Sequence, residues 1–417
     1  MTAPTNWRRD FHLLWTGTTL TQLGGAGSVF VYPLLALALT GSPVLAGWVV
    51  FAALVPATIL YLPAGVLADR LDRRTVLVVS AGVRGVAALS LPLALGTGHE
   101  WVWMLPIVAL VDGACATLYS VTEASYVPRL VPPEALSGAI ARNEARFHLA
   151  TLLGRPLGGL LFGLAQILPF VLNAVSGIAA AILAGLVRGP RATGTRTFSG
   201  LSADLRGGLV WVARQRVVRL GIAHDTVQNF LMQAVGLTVI ARALEQGISG
   251  WVIGIVMAAG GAGGVLGAWI APTTLRGRSV RQVLVALGWA WVVFAGCLTA
   301  APQPGALVAA FVLFGLISAH TNVAMVNYQA REVPPDLLGR VISVDRFVSM
   351  CMVPVGALVA GYALPTVGAQ WTLGLLTMGG VAWAALLTVV LGRMPAADVG
   401  VAAVPERAPA VPEQVPA

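Results

Sequence analysis

Lysine is absent from the 417 residues, so all 26 basic side chains are arginines. Charge of either sign is scarce, at 10% of the chain, where soluble globular proteins average roughly 25%. So few charges cannot clothe a water-soluble body of this length, which excludes a soluble enzyme and a disordered regulator. Cysteine is equally thin. Cys115, Cys297 and Cys351 lie in apolar stretches, so neither a disulfide framework nor a metal cluster is expected. No GxxxxGK[ST] loop occurs, ATP is not the evident power source, and no cofactor is expected. Isolated histidines without a neighbouring nucleophile give no catalytic constellation, so the chain does not read as an enzyme.

What is abundant is apolar residue: 57% of the chain, with a mean hydropathy of +0.82. These residues come in runs of roughly 20 rather than alternating ten-residue segments, which selects membrane-spanning helices over a barrel. About twelve such runs can be marked by hydropathy. The connectors alternate in charge. Short, nearly uncharged ones such as Thr40–Pro43 and Pro302–Pro304 face others rich in arginine, with Arg242 the exception. In a soluble domain the net charge of +9 would suggest nucleic acid. On one side of a membrane it instead orients insertion and meets anionic lipid, and no nucleic-acid partner is expected. By that bias both termini face the cytoplasm, the span number is even, and the chain is a multi-pass protein of the cell membrane.

The longest connector, 188–216, separates residues 1–187 from 217–394, leaving a Pro-, Ala- and Val-rich tail at 395–417 that reads as disordered. The two halves repeat. Tyr126–Leu136 lies over Tyr328–Leu338 with shared Tyr, Arg, Val-Pro-Pro, acid and Leu; Gly65 and Gly154 lie over Gly267 and Gly356. Six spans per copy keep both copies in one orientation, which predicts an all-α protein of two six-helix bundles related by an axis along the membrane normal.

The segment Gly65-Val66-Leu67-Ala68-Asp69-Arg70-Leu71-Asp72-Arg73-Arg74, with the six-plus-six repeat, resembles the loop signature of the major facilitator superfamily. The Val-Pro-Pro-acid loops and the Gly-rich fifth span are most similar to its 12-span drug and siderophore exporters, the enterobactin-exporter-like branch. Three positions depart from the family pattern: Asp72 stands where Gly is usual, Arg155 where Pro follows Gly154, and Ala109 where an Arg precedes Asp112.

The residues suggest three groups. Gly65 would let helices approach closely. Asp69 would meet a helix N-terminus, and Arg70, Arg73 and Arg74 would pair with Asp336 or Asp345 of the other half as a cytoplasmic gate; the bland alternative is that the arginines only set topology. Arg84 and Asp112 lie at similar depths and are expected to form a buried ion pair, either a static bridge or a proton-coupling site. Arg155, deep in the fifth span, joins them as a coupling residue or contacts an anionic substrate group. Asp225, Gln228, Asn229 and Met232 share a helical face beside His224 and read as cavity lining, with His320 and Asn322 from the tenth span. For each His, hydrogen-bonded packing is the favoured account. Arg142, Asn143, Glu144, Arg146 and His148 read as a solvated helix start.

Resemblance and residues together imply a carrier whose partners are a small-molecule substrate, protons and lipid. The expected activity is export of an amphipathic drug, antibiotic or siderophore by proton antiport. Import of a metabolite and a transporter-like sensor are the alternatives.

Overall fold

The computed structural model describes residues 6–97, 102–189, 207–300 and 303–394; the side chains of Leu62, Val66, Asp69, His148, Pro335 and Asp336 lie outside that description. Among the described residues there is no β-strand. The helices are α1 (Trp7–Thr40), α2 (Pro43–Arg70), α3 (Arg73–Gly96), α4 (Met104–Leu130), α5 (Pro133–Leu164), α6 (Leu168–Leu186), α7 (Arg216–Glu245), α8 (Gly250–Thr274), α9 (Val280–Ala300), α10 (Pro304–Glu332), α11 (Pro335–Cys351) and α12 (Val353–Gly392).

Hydrocarbon offers no hydrogen bonds, so long apolar segments close their own backbone bonds as helices. Their ends are set locally. Gly41, at φ 62°, closes α1 by donating its N–H to the Leu37 carbonyl at 2.8 Å. Ser42 then caps α2 by accepting from the Leu45 N–H at 3.3 Å. Between α2 and α3, Leu71 and Asp72 keep φ at −90° and −62°, so an Asp in place of Gly strains nothing. The Asp72 carboxylate accepts from the Thr75 hydroxyl at 3.0 Å.

Among the described residues, eleven helical stretches are long and apolar enough to cross a membrane. The longest, Leu337–Gly392, has 56 residues. At ~1.5 Å per residue it is nearly three times a hydrocarbon core of ~30 Å, so it must hold two passes. The reversal is at Gly368, whose φ of 79° and ψ of 165° only glycine adopts readily. The result is twelve passages in two six-helix bundles, α1–α6 and α7–α12.

The apolar core shows how the bundles meet. At the span ends remote from the termini, Phe30, Leu34, Leu35 and Val49 of the first bundle form one buried cluster with Val235, Ile253, Phe294 and Leu373 of the second. At the terminal side the core divides. Phe11, Leu14, Leu77 and Leu130 cluster within the first bundle; Val218, Leu284, Val344 and Leu391 cluster within the second. The molecule is closed at its far end and parted at its terminal end.

Two seams make the far closure, α2 against α12 and α5 against α8. Small residues let the backbones touch. A Cβ on Gly47 would stand 2.8 Å from the Ala357 carbonyl, one on Gly361 2.8 Å from that of Pro43, and one on Gly159 would run into the Gly250 carbonyl. Trp48 Nε1 donates to the Tyr362 hydroxyl across the first seam at 3.1 Å. Gly65, expected to serve a close helix approach, does not: a Cβ there meets nothing within 4 Å, because the terminal end of α2 stands clear of the other bundle.

Indoles mark the far boundary. Trp103, Trp251 and Trp371 are exposed there, where an amphipathic ring is favoured. Trp101 and the 395–417 tail lie outside the described residues. Within the expected linker, residues 207–214 are helical and bury Val212 in the second bundle's terminal-side cluster.

Candidate functional site

Each bundle carries a few polar groups on otherwise apolar helices. In the first bundle, Arg84 of α3 and Asp112 of α4 come together. Arg84 Nε donates to Asp112 Oδ1 at 2.6 Å, and both side chains are buried. Asn173 Nδ2 of α6 donates to the same oxygen at 3.1 Å, while Arg84 Nη1 donates to the Thr21 carbonyl of α1 at 3.1 Å. Tyr32 lies within electrostatic range, fully buried, with its hydroxyl lacking a hydrogen-bond partner. Four helices are thus tied at one point by a single ion pair.

A second buried pair lies nearer the terminal side. Glu123 of α4 accepts from Arg146 of α5 at 3.4 Å and from Asn143 Nδ2 at 3.1 Å. Arg146 is therefore part of the bundle interior, not of a solvated helix start; Arg142 and Glu144 are exposed as expected, and the His148 side chain lies outside the description. The reason is position along the helix: Arg146 lies on nearly the same face of α5 as Arg142 but one turn further in, where Glu123 of α4 is within reach.

In the second bundle the proposed polar stripe splits. His224 is fully buried; Trp383 Nε1 of α12 donates to its Nδ1 at 3.0 Å, and the Gln228 amide lies 2.8 Å from its Nε2. Gln228 is therefore a packing residue and does not line the passage, because residues 224 and 228 stack one turn apart on the face that α12 covers. Asp225 and Asn229 face elsewhere: Asp225 lies within electrostatic range of Asp345 of α11, and Asn229 Nδ2 donates to the Ser349 carbonyl of α11 at 3.0 Å. Met232 packs on the core that joins the bundles. His320 accounts for itself inside its bundle, between the Leu316 carbonyl at 2.7 Å and the Thr274 hydroxyl of α8 at 2.8 Å. Asn322, roughly 200° further round α10, is exposed.

The α2–α3 loop does not reach across the passage to Asp345. Arg73 is buried in its own bundle, its Nε donating to Ser125 of α4 at 3.3 Å, and Arg74 Nη2 donates to the Gly185 carbonyl of α6. Asp345 accepts from Gln329 Nε2 at 2.7 Å and Ser349 Oγ at 3.0 Å, both in the second bundle. Arg70 is exposed. The Asp69 and Asp336 side chains, named for the same gate, lie outside the description. Arg155 sits in the α5–α8 seam, its Nη1 3.4 Å from the Met257 carbonyl.

The Major Facilitator Superfamily pattern matches residues 14–280. An MFS-type transporter of Sinorhizobium fredii, y4rN, is 31% identical over 368 residues, covering 83% of this chain and 86% of that protein.

The chain belongs to the major facilitator superfamily.

Solved structures of the superfamily share its fold. The nucleoside transporter NupG superposes with a TM-score of 0.71 at 12% identity, covering 92% of this chain and all of that one. An inward-facing bacterial homologue of the lysosomal transporter Spinster gives 0.69 at 13%, covering 95% and 99%. An inward-facing bacterial homologue of the iron transporter ferroportin gives 0.67 at 17%, covering 94% and 100%. The protein is accordingly a multi-span membrane transporter of the MFS type. Within this MFS chain, sequence reading passed over Glu123, Tyr32, Thr58 and Asn173. Asn173 and Glu123 carried a usable signal, a polar side chain inside an apolar run; Tyr32 and Thr58 did not.

Proposed function

We propose that this transporter exports a small amphipathic organic compound of the drug, antibiotic or siderophore class against inward proton flow. The carrying observation is the divided core: one buried cluster joins the bundles at the far end, and two separate clusters stand at the terminal end. That is the form of one state of an alternating-access carrier, open toward the termini. With arginine-rich connectors on the cytoplasmic side, the open face is the cytoplasmic one, where an exporter would load its cargo. Few charges flank the passage, which suits an amphipathic cargo better than a strongly ionic one. Asp225, Asn229 and Asn322 supply its polar contacts in this reading. Asp112 takes the proton when the Arg84 pair opens, and Arg155 releases the Met257 carbonyl as the seam parts.

Everted membrane vesicles with an imposed pH gradient test this. Export predicts that at least one amphipathic compound of a panel accumulates inside and dissipates the gradient as it does so. Asp112→Asn should abolish gradient-driven accumulation. Accumulation that ignores the gradient, or that survives Asp112→Asn unchanged, removes the coupling assignment; movement only into right-side-out vesicles reverses the direction.

A further inference from the structure

α11 and α12 are separated by Met352 alone, and Pro354 explains the interruption. Proline has no N–H and its ring presses on the carbonyl four residues back, so the Met350 carbonyl loses its ordinary helical donor. That carbonyl takes the Met352 N–H and, at 3.3 Å, the hydroxyl of Thr58 in α2. The adjacent Ser349 carbonyl takes Asn229 Nδ2 of α7. One interruption is therefore held from both bundles. Beyond it the chain is fixed: Gly356 packs on the backbone of Phe230 and Ala234, and Gly361 on Pro43 and Gly47. Before it, α11 exposes Ile342 and Phe347, and the facing end of α2 is open around Gly65.

We propose that Thr58 is a positioning residue for transport: its bond to the Met350 carbonyl latches α11 to the opposite bundle, and releasing it lets Pro335–Cys351 swing about Met352 across the terminal-side opening while the segment after Val353 stays on α2. A helix whose ladder is already interrupted bends without losing a further backbone bond. The swing carries Asp345 away from Asp225 and breaks its bond to Gln329 of α10. It rests on the alternating-access reading above and holds for either direction of transport.

The test uses the full chain in lipid nanodiscs, with Cys115, Cys297 and Cys351 replaced by Ala and spin-label pairs read by pulsed dipolar spectroscopy. The pairs are Ile342→Cys with Val293→Cys and Val359→Cys with Val293→Cys, both within the second bundle, and Leu149→Cys with Val265→Cys across the terminal mouth. Gly159→Phe serves as a wedge at the far seam. With the wedge, the mouth pair should shorten, the 342–293 distance should change by several ångströms, and the 359–293 distance should not. Without the wedge, Thr58→Val should enrich the changed 342–293 distance, and Thr58→Ser should match wild type. A closing mouth with both intra-bundle distances constant means rigid rocking and overturns the proposal alone. A mouth that never moves overturns the alternating-access reading with it. Should the wedge variant not fold, identical distributions for Thr58→Val and Thr58→Ser still overturn the latch.

Discussion

Arg84 of α3 and Asp112 of α4, 28 positions apart in sequence, face each other at 2.6 Å, with neither side chain more than 7% exposed. A charge so placed is tolerable only while its partner is present. Removing one member should therefore cost about 3–5 kcal/mol. Arg84→Met or Asp112→Leu alone is expected to lower the thermal midpoint in detergent sharply, and the double variant should regain most of the loss. Equal midpoints for singles and double would show that the pair does not hold the bundle.

Arg146 and Arg142 are one helical turn apart in α5, yet only the first is buried against Glu123. Arg146→Gln should destabilise by several times the effect of Arg142→Gln. The latter should stay within about 0.5 kcal/mol, as exposed substitutions do. Thermal unfolding of the two variants side by side decides this.

His224 and Asp225 are neighbours with opposite assignments. Trp383→Phe removes the donor to His224 Nδ1 and should cost about 1–3 kcal/mol of stability while leaving the ranking of transported compounds intact. Asp225→Asn should do the reverse, changing that ranking at nearly unaltered stability. A compound panel run with a melting curve for each variant separates them.

The Trp48–Tyr362 contact bridges the bundles at the closed end. Trp48→Cys with Tyr362→Cys, joined by a short reducible bis-thiol linker in a background lacking the native cysteines, should hold that end shut. Transport should stop on linking and return on reduction. Undiminished transport in the linked protein would mean that this seam need not open.

Legibility differed by residue. The Arg84–Asp112 pair was readable because two opposite charges at matching depth in apolar runs have few other ways to be satisfied. The expected close approach at Gly65 failed because a glycine shows that backbones can touch, not that they do; Gly47 and Gly159, without a motif around them, are where contact occurs. The stripe at 224–232 failed on width. A helical face spans enough arc that His224 and Gln228 turn toward Trp383 while Asp225 and Asn229 turn toward α11.

Sequence alone determined the helices, the twofold repeat and the membrane setting, because those follow from period, hydropathy and the placement of arginine along the chain. Which end of the passage is shut, which arginines are riveted within a bundle, and that Thr58 meets the Met350 carbonyl were decided by tertiary structure. Those are relations between surfaces of separate helices, fixed by rotation and tilt, and no local pattern of residues encodes either.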